Sequence, residues 1–215
     1  MRKWIPPLLI VAATLVSVLM YPKLPDQIAT HWDASGNVNG WSSRMFGAWL
    51  APVMMAVIWL IMRLLPNVDP RKANYEKFKG MYEALIILTL AFLLGIHVLI
   101  LAAATGARVD MARMAPLGIG AFFIGMGVLL PKAQSNWFVG IRTPWTLTSE
   151  LSWQRTHKLG GILFVAAGAL TGAAALIRPR LSIPVLVSSV LGITLLLFVY
   201  SYRVWKEDTQ HKSTF

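Results

Sequence analysis

The sequence predicts an all-α fold: a polytopic integral membrane protein with six transmembrane helices and both termini cytoplasmic. Three observations carry this. Of the 215 residues, 56% are hydrophobic and only 13% charged, with a mean hydropathy of +0.60, whereas a soluble domain carries about a quarter charged residues. The 20 Lys and Arg and the nine Asp and Glu are segregated, and none falls in the runs 4–22, 45–62, 84–107, 114–131, 159–177 and 181–202. Each run reaches the roughly 17 to 25 residues that a bilayer-spanning helix needs. No period-2 alternation runs through the chain, which excludes a transmembrane β-barrel.

The first run follows Arg2 and Lys3 and ends in Met20-Tyr21-Pro22-Lys23 without a small-x-small cleavage site. It therefore reads as a retained helix, not a signal peptide. Pro6, Pro7, Pro52, Gly95 and the cluster Gly118, Gly120, Gly125 and Gly127 lie within the runs, where neighbouring helices re-satisfy freed backbone groups. Six spans put both termini on one side. That side collects Arg2, Lys3, Arg63, Arg71, Lys72, Lys77, Lys79, Lys132, Arg142, Arg155, Lys158, Arg203, Lys206 and Lys212, against Lys23, Arg44, Arg108, Arg113, Arg178 and Arg180 opposite. The bias puts the termini in the cytoplasm. It also accounts for most of the net charge of +11, so no direct nucleic-acid binding is expected, which would need a basic face on a folded module. The absence of cysteine removes disulfides, thiolate metal sites and thiol nucleophiles together.

Three loops are long enough for specific chemistry. In the outer loop 23–44, Ala34-Ser35-Gly36-Asn37 and Asn39-Gly40 are turn signals, and they predict that 28–33 folds back on 37–41 as a small hairpin on the membrane face. Trp32 and Trp41 then sit at headgroup depth, either as anchors, like Trp4 and Trp49, or as ligand contacts together with His31 and Asp33. No metal is expected, because His31-x-Asp33 offers two ligands where a site needs three or four and no other His lies on that side. No cofactor is implied either.

The second loop, 63–83, places Asp69-Pro70 as N-cap and first residue of a helix. Tyr75, Phe78 and Tyr82 then form an apolar stripe opposite Lys72, Lys77 and Lys79, an interfacial lead-in to the third span or, as the alternative, a partner-binding surface.

The third loop, 132–158, reads from Asn136 as Asn-Trp-Phe-Val-Gly-Ile-Arg-Thr-Pro-Trp-Thr-Leu to Leu147 and carries three tryptophans. Thr148 or Ser149 caps a helix with Glu150 in its first turn, and Glu150, Trp153, Gln154 and His157 share one face of it. Glu150 and His157 have acid/base chemistry and Ser149 and Ser152 are hydroxyl nucleophiles, but the spacing matches no nucleophile elbow and no zinc helix. No catalytic residue is assigned and no enzyme activity is expected. Between Gly140 and Pro144, Arg142 can clamp a carboxylate, a phosphate or a helix C-terminus. His97 is the one imidazole within the runs, and a helix–helix hydrogen bond is its leading reading over a proton relay, which would need further charged groups.

The run Asn136–Leu147, followed by Trp153, His157 and Gly160-Gly161, closely resembles the hallmark of the SdpI family of bacterial immunity proteins. The segment from Leu24-Pro25 to His31-Trp32, with Gly36 and Gly40, looks like the DUF1648 domain that precedes it in that family. The resemblance divides the chain into a DUF1648-like region, 1–83, and an SdpI-like region, 84–215. It implies a multi-pass protein of the bacterial cytoplasmic membrane, embedded in the lipid bilayer, that gives resistance to a secreted toxic peptide. It also implies a toxin receptor that sequesters a small winged-helix (ArsR-like) repressor at the membrane. On this chain the toxin-facing residues would be His31, Trp32, Asp33 and Trp41. The inner-loop residues, as a partner contact or as a structural motif, would be Asn136, Trp137, Gly140, Arg142, Thr143, Pro144, Trp145, Glu150, Trp153 and His157, the first seven forming the inner functional surface. A small-molecule or ion transporter and a membrane enzyme are the alternatives.

Overall fold

The computed structural model describes residues 2–212. Helix α1 (Ile5–Met20) opens on Pro6 and Pro7, whose missing N–H groups cost nothing in a first turn, and ends in a 3-10 turn at Tyr21–Lys23. The expected hairpin follows as antiparallel strands β1 (Gln27–Trp32) and β2 (Val38–Ser43). Its register slips around Thr30 and Asn39, between the pairs Ala29–Trp41, His31–Gly40 and Trp32–Val38, a bulge that re-aims the side chains near the tip.

Helix α2 (Arg44–Val68) is capped by Ser43, whose hydroxyl accepts from the Phe46 N–H. It stops before Asp69-Pro70, because a residue preceding proline resists the helical conformation. Asp69 therefore terminates α2 with extended φ/ψ. This corrects the expected N-cap role: α3 (Tyr75–Ala104) starts later, after a 3-10 turn over Lys72–Asn74. Helix α4 (Met111–Leu129) is capped by Asp110, which accepts from the Arg113 N–H. The third loop holds one short helix, α5 (Pro144–Thr148), that the sequence pattern did not reveal. Ser149 caps α6 (Glu150–Ile177), and α7 (Ser182–Lys212) completes the chain.

Among the described residues, six helices are long and apolar enough to cross a membrane, and they coincide with the six uncharged runs. Large side chains such as Leu8, Val11, Leu15 and Leu19 on α1, or Leu191 and Leu195 on α7, point outward, as a bilayer demands and water forbids. Helices α1, α2 and α3 form one group, α4, α6 and α7 another, and α3 joins them by packing on α4.

The α4–α6 crossing is made by glycine. A Cβ on Gly127 would lie 2.6 Å from the Gly161 carbonyl oxygen, and one on Gly120 2.7 Å from that of Gly168. Seven residues separate the two glycines on each helix, so both approaches lie on one face and the backbones touch directly. Phe123 and Phe164 stack at 5.3 Å across the same pair of helices.

The largest buried cluster joins Met55, Tyr75, Phe78, Tyr82, Leu90 and Trp153. Tyr75, Phe78 and Tyr82 are thus core residues, packed on one another at 5.0 to 6.1 Å. The expectation of a stripe lying on the membrane surface is corrected: the stripe is covered by the third loop.

Candidate functional site

Two constellations stand at opposite faces of the helix bundle. On one, the hairpin is bolted down at its base. Ile28 is fully buried with Leu24, Ala48 and Leu101; Arg44 pairs with Asp26, and its guanidinium lies 5.6 Å from the Tyr21 ring centroid. At the tip, Asp33 Oδ1 accepts from the backbone N–H groups of Ser35 (2.8 Å) and Asn37 (2.9 Å), and Oδ2 accepts from the Asn37 amide (3.3 Å). The Asn37 backbone bond is the largest influence holding the Asp33 carboxyl below the usual carboxylate range. Gly36, at φ 84°, lets the tip rest on Ala112 at the start of α4.

The tip roofs a cavity of about 320 Å³. His31, Trp32 and Asp33 form its polar side, while Phe92 and Ile96 of α3 and Pro116 of α4 form its apolar side. Phe92 and Ile96 also line a second cavity, of about 470 Å³, that continues between α3 and α4 past Gly95 and Gly118. The structure therefore brings together three of the four residues expected on this face. Trp41, opposite Ala29 in the sheet, stands apart and is 62% exposed. His31 Nδ1 lies 2.5 Å from Asn39 Oδ1, and among the described residues no three His, Asp or Glu converge as metal ligands. The α3 and α4 lining was not found by motif reading, since only packing shows which apolar residues leave a gap.

The opposite face, which carries the ends of α1 and α7, is a hydrogen-bonded knot. Asn136 is fully buried and organises the loop: its amide donates to the carbonyls of Gln134 and Val139 (both 2.9 Å), and its Oδ1 accepts from the N–H groups of Phe138 and Val139. His157 is buried and stacked on Trp153 at 4.0 Å. Its Nδ1 lies 2.7 Å from the Trp153 carbonyl and its Nε2 accepts from the Ile141 N–H at 3.0 Å. Those partners assign the neutral, Nδ1-protonated imidazole. Gly140, at φ 115°, sits where any Cβ would collide with His157 Nε2.

Thr143 caps α5 in a reciprocal box with Thr146. Its hydroxyl reaches Ser201 Oγ of α7 at 3.0 Å. Ser149 donates to Asp208 Oδ2 at 2.7 Å, Ser152 to the Ser201 carbonyl at 2.8 Å, and Trp153 Nε1 to the Ala133 carbonyl at 2.8 Å. From the other side, Arg71 bonds Ser135 Oγ and the Leu147 carbonyl, and the Asn74 amide donates to the Ser135 carbonyl at 2.7 Å. Trp145 packs on Phe198 (4.7 Å) and Tyr202 (5.1 Å).

Several expectations are corrected here. Asn136 and Thr143 are buried struts and present no surface, whereas Trp137, 47% exposed, Arg142 and Pro144 face outward. Arg142 makes no bidentate clamp; Nη1 donates to the Trp137 carbonyl at 2.9 Å. The face shared by Glu150, Trp153, Gln154 and His157 divides: Glu150 and Gln154 bond each other in the open, and Trp153 and His157 are enclosed. Glu150 and His157 therefore form no acid/base pair. Between the two faces, the Ser17 hydroxyl donates to the Ala48 carbonyl (2.7 Å) and lies 2.9 Å from His97 Nε2, joining α1, α2 and α3.

Comparison with known proteins follows the same division. Residues 8–56 match the family model of a domain of unknown function, DUF1648, and residues 132–203 match that of the SdpI/YfhL protein family. Immunity protein SdpI of Bacillus subtilis (strain 168) is 26% identical over 209 residues, which cover 96% of this chain and 98% of that protein. No solved structure matches. With the hairpin inside the DUF1648 match, the loop 132–158 inside the SdpI/YfhL match and a relative aligned along nearly its whole length, the chain is a multi-pass bacterial membrane protein that resembles Immunity protein SdpI from end to end.

Proposed function

We propose that this protein is an immunity protein, protecting the cell that carries it from a secreted antimicrobial peptide met at the hairpin face. The observation that carries the reading is the cavity beneath the hairpin, where His31, Trp32 and Asp33 border an apolar cleft running on between α3 and α4. Such a mouth suits a peptide with a polar end and an apolar segment, since binding clefts pair apolar walls with a few polar groups. The name of the related Immunity protein SdpI supports the same reading. The excess of Lys and Arg on the termini face supports a cytoplasmic position for that face, which leaves the hairpin to meet what arrives from outside.

In the receptor half of the proposal, Trp137 and Arg142 on the rigid knot are the contact for a small winged-helix repressor held at the membrane. Peptide binding would bias one arrangement of the helices that frame the knot, to the extent of its differential affinity for the two arrangements.

The test is survival of toxin-sensitive bacteria expressing the protein at matched membrane levels. Wild type protects, Trp32→Ala loses protection, and Arg142→Ala keeps it while losing repressor recruitment. A well-inserted wild type that gives no protection against the secreted peptide toxin to which the cells are exposed would overturn the reading.

A further inference from the structure

On the termini face, the ends of α1, α2 and α3 enclose a cavity of about 310 Å³ that belongs neither to the knot nor to the hairpin cleft. Its wall carries Lys3, Arg63 and Glu83, with the indoles of Trp4 and Trp59 and the first turn of α1 at Pro6. Opposite charges in one small cavity would ordinarily pair. Here they do not: the ion pairs among the described residues are Asp26–Arg44, Glu76–Lys79, Asp110–Arg113 and Glu207–Arg155. The α1 N-terminus adds partial positive charge, with no side-chain cap and no acidic residue in its first turn. Trp4, 71% exposed, stands at the rim, the depth at which indoles mark the lipid headgroup layer.

We propose that this cavity binds the headgroup of an amine-bearing phospholipid, phosphatidylethanolamine. The phosphate lies between Lys3 and Arg63 in front of α1, the ammonium lies against Glu83, and the acyl chains leave past Trp4 and Trp59 into the bilayer. A wholly basic pocket would select any anionic lipid. The added carboxylate changes the choice: an ammonium brings it both opposite charge and hydrogen bonds, whereas the glycerol hydroxyls of phosphatidylglycerol are neutral donors that leave its charge uncompensated.

The experiment is native mass spectrometry of the full-length protein, released from detergent after incubation with equal amounts of phosphatidylethanolamine and phosphatidylglycerol of the same acyl chains. Wild type is expected to retain phosphatidylethanolamine by roughly tenfold over phosphatidylglycerol. Glu83→Gln, which keeps shape and polarity, should level the two while phosphatidylglycerol binding persists. Lys3→Gln combined with Arg63→Gln should reduce both to the level of non-specific adducts, and Arg180→Gln, on the hairpin face, should change nothing. Equal retention of the two lipids by the wild type, or an undiminished preference in Glu83→Gln, overturns the assignment. Displacement of the lipid by an equal concentration of soluble phosphoethanolamine would show that the site selects a free headgroup and overturns it as well.

Discussion

Asp69 Oδ2 accepts a hydrogen bond from the Trp137 backbone N–H at 3.0 Å, across 68 residues of sequence, and the same oxygen accepts from the Tyr75 hydroxyl at 3.0 Å. Asp69 Oδ1 accepts from the Arg71 N–H at 2.7 Å. The carboxylate is only 2% exposed, a placement that is costly unless such donors surround it. One side chain at the end of α2 thereby ties the α1–α3 group to the loop that opens the SdpI/YfhL match.

Removing that tie should be severe. Asp69→Ala is expected to destabilise the detergent-solubilised protein by about 3 kcal/mol, because three donors lose their acceptor inside the knot. Asp69→Asn, which keeps one acceptor oxygen, should cost less. Thermal unfolding followed by tryptophan fluorescence checks this, and an Asp69→Ala melting point equal to wild type would refute it.

Gly140 and His157 should behave as one unit. Gly140→Ala meets both a positive φ and the imidazole nitrogen, so it should cost more than the roughly 1 kcal/mol of a left-handed residue alone. In the double variant Gly140→Ala/His157→Ala the collision is gone. The combined loss should therefore fall short of the sum of the single losses by about 1 kcal/mol or more, and strict additivity would show that the two residues are not coupled.

The glycine crossing of α4 and α6 predicts a second kind of failure. Gly127→Leu must push the helices apart at the Gly161 carbonyl, and overpacking of this kind costs about 1 to 3 kcal/mol. Gly95→Leu faces open space and should be tolerated far better. The comparison of folded yields after detergent extraction separates the two.

The hairpin tip should respond to acid at one residue. The folded-state pKa of Asp33 is lowered by its Asn37, Ser35 and Gly36 partners. Its contribution is thus complete above the unfolded value of about 3.9 and is lost as the pH falls through the lower folded value. Amide resonances of Ser35 and Asn37 should hold steady from pH 7 to about 5 and move only below about pH 4. In Asp33→Asn that acid transition should be absent.

What could be read in the sequence was whatever one stretch of chain decides for itself. Charge-free runs mark spans because no distant partner can hydrate a charged side chain inside a bilayer. Turn residues at 34–37 make the hairpin because the positive φ of Gly36 is a local matter, and Ser149 caps α6 because the cap is three residues long, whereas Asn39-Gly40, expected as a second turn, lies inside β2 without a positive φ. Asp69 departs from its expected role for the same reason: nearby sequence allows an N-cap, and only Trp137 and Tyr75 arriving from elsewhere make it a buried acceptor. Helical spacing put Glu150, Trp153, Gln154 and His157 on one face, yet it could not say where the neighbouring loop would cover that face and where it would stop. Asn136, Thr143 and Arg142 sit in one motif, and two became struts while the third stayed outside. Local backbone chemistry and membrane hydropathy wrote the elements; which side chains are enclosed, and what they hold, depended on contacts between residues far apart in the chain, whose loop-closure cost only the assembled bundle repays.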